Sequence, residues 1–224
     1  MIKLERKVKP LTTRVVHDKF IEASEKAFDC AFDGIATFYP WEKPDIPTKF
    51  SIGVIVGSSG SGKSTLLKEF GVERHPVWSG TKAIVSHFEA PDEAINKLSA
   101  VGLNSIPSWY KPYRVLSNGE QFRADLAAKI ENNSVIDEFT SVVDRNVAKA
   151  ASVSLSKYIR NNNITNVVLS TCHRDILEWL EPDWIIDTDL GEYTDGFFLP
   201  DQKLKLTSTR LTRPSGPCLK TITI

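Results

Sequence analysis

The chain has 224 residues, 41% of them hydrophobic, and its 28 Lys and Arg residues balance its 28 Asp and Glu residues. This length can bury a core, and the even charge balance does not call for nucleic acid or an anionic membrane as a partner. The three cysteines, Cys30, Cys172 and Cys218, lack metal-ligand spacing, which argues against a zinc site and a secreted disulfide framework.

The start of the chain, "MIKLERKVKP", is charged and lacks the apolar core of a signal peptide, and no segment approaches the ~18 continuous apolar residues that span a bilayer. We therefore expect a cytoplasmic protein with reduced thiols and no direct membrane insertion. Ile2, Leu4 and Val8 alternate along this start and predict a short strand. Between residues 13 and 32, apolar residues recur at three- and four-residue steps. They predict an amphipathic helix that lies against the main domain.

The prolines of "YPWEKPDIPTK" end any helix, and "FSIGVIV" then predicts a buried strand. The next residues fit the pattern G-x-x-x-x-G-K-[ST] without a mismatch and lead into a helix. Glycines let the backbone turn tightly and bring its N–H groups to phosphate oxygens. Lys63 supplies positive charge to the β and γ phosphates, and the Ser64 hydroxyl can ligate Mg²⁺. The predicted nucleotide-binding residues are Gly57, Ser58, Ser59, Gly60, Ser61, Gly62, Lys63, Ser64 and Thr65.

Further along, buried strands alternate with helices. The strands are "KAIVSHF" at 82–88, "SVID", "NVVLS" and "WIIDT", and "LKLTST" predicts one more near the end of the chain. Helices are predicted around "DEAINKLSAV", after "LSNGEQ", and across "NVAKAASVSLSKYIR" and "RDILEWL". This alternation predicts an α/β fold with a mainly parallel sheet covered on both faces. We divide the chain into an N-terminal strand and helix (1–37), a nucleotide-binding domain (38–200) and a C-terminal strand and tail (201–224).

Two adjacent acids, Asp137 and Glu138, close the strand "SVID". Where a strand ends the chain turns, so both side chains can face the nucleotide. Asp137 is placed to hold Mg²⁺, directly or through water. Glu138 is then free to orient and deprotonate a water aimed at the γ phosphate.

Three further motifs carry a family resemblance. "LSNGEQFRADLA" resembles the LSGGQ signature of ABC-type ATPases, with Ser117 and Gly119 matching; "SVVD", which ends at Asp144, resembles their D-loop; and His173 stands where they carry a switch histidine. With the phosphate loop and the acidic pair, the chain resembles these P-loop NTPases from about residue 38 to about residue 190.

The resemblance implies a mechanism. Two ATP molecules would be sandwiched in a homodimer, in which Lys63, Glu138 and His173 are catalytic and each signature closes over the nucleotide of the second copy. Ser117 and nearby N–H groups would donate to the γ phosphate, and Gly119 would allow close approach. The family also stacks an aromatic side chain on adenine. Phe38, Tyr39 and Trp41 are available for this, and we choose Tyr39, the alternative being that all three cover the sheet edge.

Several positions depart from the family. The glutamine that the family places between the phosphate loop and the signature is missing, and His87 stands at that position, either contacting the attacking water or only supporting its neighbours. Glu120 replaces the signature glutamine, and Phe139 replaces the proline after the acidic pair. We expect only a short helical insert, at about 88–115, before the signature, which leaves little room for the helical subdomain that docks on membrane domains. The pattern resembles a narrower group of soluble ABC-type ATPases that are fused to or work with GNAT-type acetyltransferase-like domains.

An aromatic and basic cluster precedes the signature, formed by Trp109, Tyr110, Lys111 and Arg114. It suits nucleic-acid binding, docking of a protein partner, or simple core packing of its aromatic residues. Three functions therefore stay open: a soluble ATP-driven switch, the nucleotide-binding subunit of an ABC transporter, and a P-loop kinase.

Overall fold

The computed structural model describes residues 2–195, so the strand expected from "LKLTST" lies outside the described residues. In chain order the strands and α-helices are β1 (Ile2–Lys3), β2 (Leu11–Arg14), α1 (Lys19–Phe28), β3 (Ile35–Phe38), β4 (Ile52–Val56), α2 (Lys63–Leu67), α3 (Pro91–Ala100), α4 (Ile106–Trp109), α5 (Asn118–Lys129), β5 (Val135–Ile136), α6 (Arg145–Asn161), β6 (Val167–Thr171), α7 (Leu177–Leu180), β7 (Trp184–Asp187) and β8 (Glu192–Asp195).

A six-stranded sheet with the order β1-β8-β7-β4-β6-β5 forms the centre of the fold. Strands β7, β4, β6 and β5 run parallel, whereas β8 and β1 complete one edge through antiparallel pairings, β7 with β8 and β8 with β1. Every residue of β4 and β6 is buried, as expected for central parallel strands that are covered on both faces. The predicted mainly parallel sheet is confirmed.

Two apolar clusters lie on opposite faces of this sheet. Successive strand residues point to opposite faces, and accordingly Val54 belongs to the larger cluster while Ile55 belongs to the smaller one. Residues of α3, α5, α6 and α7 complete the larger cluster, and Leu66 and Leu67 of α2 pack in the smaller one. Because β4, β5, β6 and β7 run parallel, their carboxyl ends lie at one edge of the sheet, where the phosphate loop begins.

The N-terminal region is arranged differently from the prediction. Strands β2 and β3 form a separate antiparallel pair, and α1 is shorter than the predicted helix. Asp18 caps it by accepting hydrogen bonds from the backbone N–H groups of its first turn. No residue of α1 is buried, and Phe20 and Phe28 are 70% and 80% exposed. Packing of this helix on the main domain is therefore not observed: periodicity defines an apolar face without identifying what covers it.

Two smaller expectations are also wrong. "KAIVSHF" contains a 3₁₀ helix, Ile84–His87, where a strand was predicted; the local bond from the Ser86 N–H to the Ala83 carbonyl closes the turn, although Ile84 is fully buried as a strand residue would be. Cys30 is disulfide-bonded, contrary to the expectation of reduced thiols. Within residues 2–195, no helix is long and apolar enough to cross a bilayer.

Candidate functional site

Four neighbouring parallel strands end at one edge of the sheet, and the predicted site residues follow three of them. The phosphate loop follows β4, the acidic pair follows β5, and His173 lies just beyond β6. The fourth strand, β7, leads into a turn that contacts the phosphate loop. The carboxyl edge of a parallel sheet is where ligands bind in open α/β folds, so the topology brings together the residues that the motifs selected.

The phosphate loop is packed too tightly for side chains at two of its glycines. A Cβ at Gly57 would lie 2.0 Å from the Thr188 hydroxyl oxygen. Gly62 has a φ of +96°, and a Cβ there would lie 2.7 Å from the Phe38 ring. The sequence pattern thus reflects both backbone conformation and close packing.

Lys63 begins α2, and its Nζ donates to the Ser58 carbonyl oxygen at 2.6 Å. The ammonium group therefore lies at the loop whose bound phosphates it is predicted to contact. Ser64 is exposed and Thr65 is half-buried. These positions leave the Ser64 hydroxyl accessible to a ligand.

The acidic pair is oriented by the neighbouring strand. Ser170 of β6 donates its hydroxyl to Asp137 Oδ1, and the Glu138 N–H donates to the same oxygen at 2.9 Å. Glu138 itself is exposed and adopts a left-handed backbone, with φ of +50°. Thr140 is also left-handed, at +67°. Such conformations are costly away from glycine and are concentrated at functional sites; here they turn the chain sharply after β5.

Phe139 lies between these two left-handed residues and is fully buried. Its N–H donates to the Ser170 carbonyl at 2.8 Å, a bond that the family's proline would not make. Its ring packs near Phe122 of α5, with the ring centroids 6.0 Å apart. Phe139 thus joins the turn after β5 to both β6 and α5.

The signature serine caps α5. The Ser117 hydroxyl accepts from the Glu120 N–H at 3.4 Å, while a Glu120 carboxylate oxygen accepts from the Ser117 N–H at 2.9 Å, forming a capping box. Glu120 also accepts from the hydroxyls of Ser108 and Ser117, and these bonds, the one from Ser108 first, lower the pKa of Glu120 to about 2. Among the described residues, no hydrogen bond or salt bridge joins the signature to the phosphate loop.

Gly119 has open space where a side chain would begin. A Cβ there would meet only one heavy atom within 4 Å, Cγ1 of Val143, at 4.0 Å. The packing of residues 2–195 therefore has room for a larger side chain at this position, in contrast to Gly57 and Gly62.

The aromatic residues before β4 differ in accessibility. Trp41 is buried, and its indole N–H donates to the Ser61 carbonyl at 3.0 Å. Tyr39 is 46% exposed and lines a pocket of about 520 Å³ together with Phe38 and the phosphate loop. Tyr39 is thus the exposed aromatic residue of this pocket, whose volume is in the usual range for small-molecule sites.

Arg6 is a pocket residue that sequence reasoning missed. Its guanidinium lies 3.4 Å from the centroid of the Trp41 ring, and its Nη1 donates to the Tyr39 carbonyl at 2.7 Å. It also lines the pocket beside Tyr39. No local motif marks Arg6, because about fifty residues separate it from the loop in sequence.

His87 is engaged in local contacts. Its Nδ1 is 2.9 Å from the Ala83 carbonyl, and its Nε2 accepts from the Ser79 N–H at 3.0 Å. The Nδ1 bond requires a proton on that nitrogen, so the ring is the neutral Nδ1–H tautomer. The ring also contacts Trp78 edge-on. A role for His87 at the attacking water would require these bonds to break, and that role stays a prediction.

The aromatic and basic cluster before the signature is divided between core and surface. Trp109 is 5% exposed and donates its indole N–H to the Leu103 carbonyl at 2.6 Å. Tyr110 is 67% exposed, and Lys111 and Arg114 are also exposed. Trp109 is therefore a core residue, which leaves one aromatic side chain of the cluster available to a partner.

The two residues predicted to hold Mg²⁺, Ser64 and Asp137, offer a hydroxyl and a carboxylate oxygen. Magnesium in nucleotide sites usually takes one or two such protein ligands and completes its shell with phosphate oxygens and water. Residues 2–195 contain no cluster of three or more His, Cys, Asp and Glu side chains that would hold a metal by itself. The donor set fits a magnesium ion that arrives with a nucleotide.

No family model and no curated protein matches the chain. Solved structures of ATP-binding cassettes match its fold. The dimeric post-hydrolysis structure of the ATP-binding cassette MJ0796, bound to ADP and Pi, has a TM-score of 0.52 at 15% identity and covers 74% of this chain and 94% of its own. A second dimeric structure of MJ0796, a bacterial ABC transporter cassette, has a TM-score of 0.51 at 14% identity, with 73% and 92% covered. The predicted ABC ATPase-like fold is thus confirmed.

Proposed function

We propose that the chain is an ATP-hydrolysing ABC-type ATPase that acts as an ATP-dependent homodimeric switch. The observation that carries this proposal is the convergence of the phosphate loop, the Asp137 and Glu138 pair and His173 at one edge of the sheet. A phosphate cradle, a magnesium ligand and a base are the parts that hydrolysis of a terminal phosphate needs.

The proposed roles follow from these positions. Lys63 and the N–H groups of the loop bind the phosphates, and Ser64 and Asp137 hold Mg²⁺, which neutralises phosphate charge when bound. Glu138 is exposed at the end of β5 and accepts a proton from the attacking water. His173 contacts the γ phosphate, and Tyr39 stacks on adenine.

A second copy would complete the site. Ser117 is exposed at the start of α5, and Gly119 is a glycine that the packing of residues 2–195 does not require. An isologous dimer would use both, because the same patch of each copy meets the nucleotide of the other. The dimeric cassettes that share the fold support this arrangement.

We place the switch among cytoplasmic proteins that act on a soluble partner. Only the short helices α3 and α4 and two 3₁₀ turns lie between α2 and α5, which leaves a small surface for a membrane domain. A separate GNAT-type acetyltransferase-like protein is the partner that the sequence resemblance favours, and a nucleic acid is the alternative. Transport would be supported instead if the protein co-purified with a membrane protein.

The decisive experiment is the molar mass of the Glu138→Gln variant in solution, with Mg²⁺ and either ATP or ADP, measured by light scattering. Glutamine keeps the shape of the side chain and removes the base, so we expect ATP binding without turnover and a dimer with ATP only. Adding Ser117→Arg is the control, because it should abolish the dimer while each copy still binds ATP.

Three outcomes would contradict the proposal. A monomer with bound ATP would mean that the site does not form between two copies of this chain. Phosphate appearing on an acceptor molecule during turnover of the unaltered protein, where water should receive it, would indicate a kinase. Failure of the unaltered protein to bind ATP would refute the proposed ATPase function.

A further inference from the structure

The turn between β7 and β8 forms hydrogen bonds with the end of β4 and with the start of the phosphate loop. The Thr188 N–H donates to the Val56 carbonyl at 2.9 Å, and the Thr188 hydroxyl lies 2.6 Å from that of Ser61. The next residue, Asp189, accepts from the Ser58 N–H at 2.9 and 3.0 Å through its two oxygens and from the Ser58 hydroxyl at 2.7 Å. Ser58 is therefore held by its backbone and its side chain at once.

Arg174 connects this carboxylate to the segment that follows β6, since it comes immediately after His173. Its Nη2 donates to Asp189 Oδ2 at 2.9 Å, and its guanidinium makes a bidentate pair with Asp187. Asp187 is only 7% exposed and also accepts from the backbone N–H groups of Asp189 and Leu190. Bidentate pairs fix geometry as well as charge, so Arg174 fixes the position of this turn through Asp187 and Asp189.

Electrostatics agrees with this geometry. Partial burial would raise the pKa of Asp189, but the hydrogen bonds from Ser58 and from Arg174 outweigh it and lower that pKa. The pKa of Arg174 is raised, chiefly by its hydrogen bond to Asp187. Both side chains are therefore charged at neutral pH.

We propose that Asp189, held by Arg174, is a positioning residue that fixes Ser58 and ties the phosphate loop to the segment carrying His173. The inference rests on the proposed ATPase function. The Lys63 ammonium donates to the carbonyl of the same Ser58, so any movement of Ser58 also moves the anchor of the phosphate-binding lysine. If His173 moved on gaining or losing a contact with the γ phosphate, the movement would be transmitted to the loop through Arg174 and Asp189.

The test is Asp189→Asn. An amide has one acceptor oxygen and an NH₂ group that cannot accept, so the variant must give up either a Ser58 bond or the Arg174 bond. We expect KM for ATP to rise about tenfold, the effect of losing about one hydrogen bond to a charged group. We expect amide exchange at Ser58 in the nucleotide-free protein to become faster.

Asp183→Asn is the matched control. Asp183 holds the opposite end of β4, accepting from the N–H groups of Ser51 and Ile52 at 2.5 and 3.0 Å, and it pairs with Arg160 at 3.0 Å. It therefore shares the chemistry of Asp189, at the end of the strand away from the loop. We expect the control to lower the melting temperature without raising KM or speeding exchange at Ser58.

The outcomes distinguish the positioning role of Asp189 from the proposed ATPase function. If Asp189→Asn only lowers the melting temperature, as its control does, with KM and Ser58 exchange unchanged, the positioning role is refuted. If the unaltered protein binds no ATP, the proposed function fails, while exchange at Ser58 still decides whether Asp189 holds the loop.

Discussion

Glu120 illustrates how one substituted signature residue acquires a structural role. Its carboxylate accepts three hydrogen bonds, one from Ser108 and two from Ser117. The glutamine common in the family has only one acceptor oxygen and would lose part of this set. The acid thus holds Ser117 at the start of α5, and the hydroxyl that is proposed to contact the second copy's nucleotide donates to Glu120 in the single chain.

This arrangement predicts a pH dependence of stability. The bonds from Ser108 and Ser117 depress the pKa of Glu120 from 4.5 to about 2 in the folded chain. A depressed carboxyl pKa contributes stability above the unfolded pKa, and this contribution disappears as the pH falls through the folded value. Glu120→Gln should therefore lower the free energy of unfolding by about 1 kcal/mol at pH 7, and its difference from the unaltered chain should shrink between pH 4.5 and about pH 2. Urea unfolding at several pH values measures the difference at pH 7 and its decrease at acidic pH. A difference that does not change with pH would contradict the stabilising role of the Glu120 carboxylate.

At single positions, the sequence predicts what a local motif encodes. Lys63 could be assigned because it follows the glycine-rich loop in sequence, and Asp137 because it directly follows an apolar strand. Arg6 and Asp189 could not, because their contacts with Tyr39 and Ser58 cross 33 and 131 positions of the chain. His87 was assigned by its place in the motif order, and its bonds to Ser79 and Ala83 depend on a turn that was expected to be a strand.

Among the elements, the central strands were the most predictable and the N-terminal region the least. Strands such as β4 and β6 consist of short apolar runs, and a fully buried parallel strand has that composition. The pattern of α1 was equally clear, but an apolar face does not specify its partner. The strand pair β2 and β3 was missed because its pairing depends on residues more than twenty positions apart.

Strands β4 and β7 meet at a glycine that no turn requires. Gly53 pairs with Trp184 across the parallel ladder, and a Cβ at Gly53 would lie 2.0 Å from the indole ring. Trp184 is fully buried, with Phe50 and Phe70 packed against it at centroid distances of 5.2 and 5.4 Å. Because protein interiors are close-packed, this contact fixes how closely the two strands approach.

Gly53→Ala should therefore destabilise the fold by about 1–3 kcal/mol through overpacking. Gly80→Ala is the control, because a Cβ at Gly80 meets nothing within 4 Å, and it should leave stability within about 0.5 kcal/mol of the unaltered chain. Urea unfolding of the two variants gives the comparison. Equal stability of both would mean that the indole moves aside easily.

At the scale of the whole molecule, the spacing of functional groups points beyond one chain. The phosphate loop, the acids and His173 meet at one sheet edge, whereas the signature begins α5 and, among the described residues, makes no hydrogen bond or salt bridge to that loop. Gly119 has open space beside it, so the glycine is not explained by the packing of residues 2–195. A close approach by a second copy would explain both features.

The Gly119→Leu variant tests dimer formation without destabilising the folded chain. Within residues 2–195, a Cβ at this helical position meets only Val143 Cγ1, at 4.0 Å, and replacing glycine in a helix is favourable by up to about 1 kcal/mol, so the free energy of unfolding should stay equal or rise. In the Glu138→Gln background with Mg²⁺ and ATP, the same leucine should keep the molar mass at that of the monomer, because it occupies the surface that we propose to meet the second copy. Gly80→Leu provides the matched comparison and should still dimerise. A Gly119→Leu dimer that persists with ATP would place the signature away from the interface and require a different partner for Ser117.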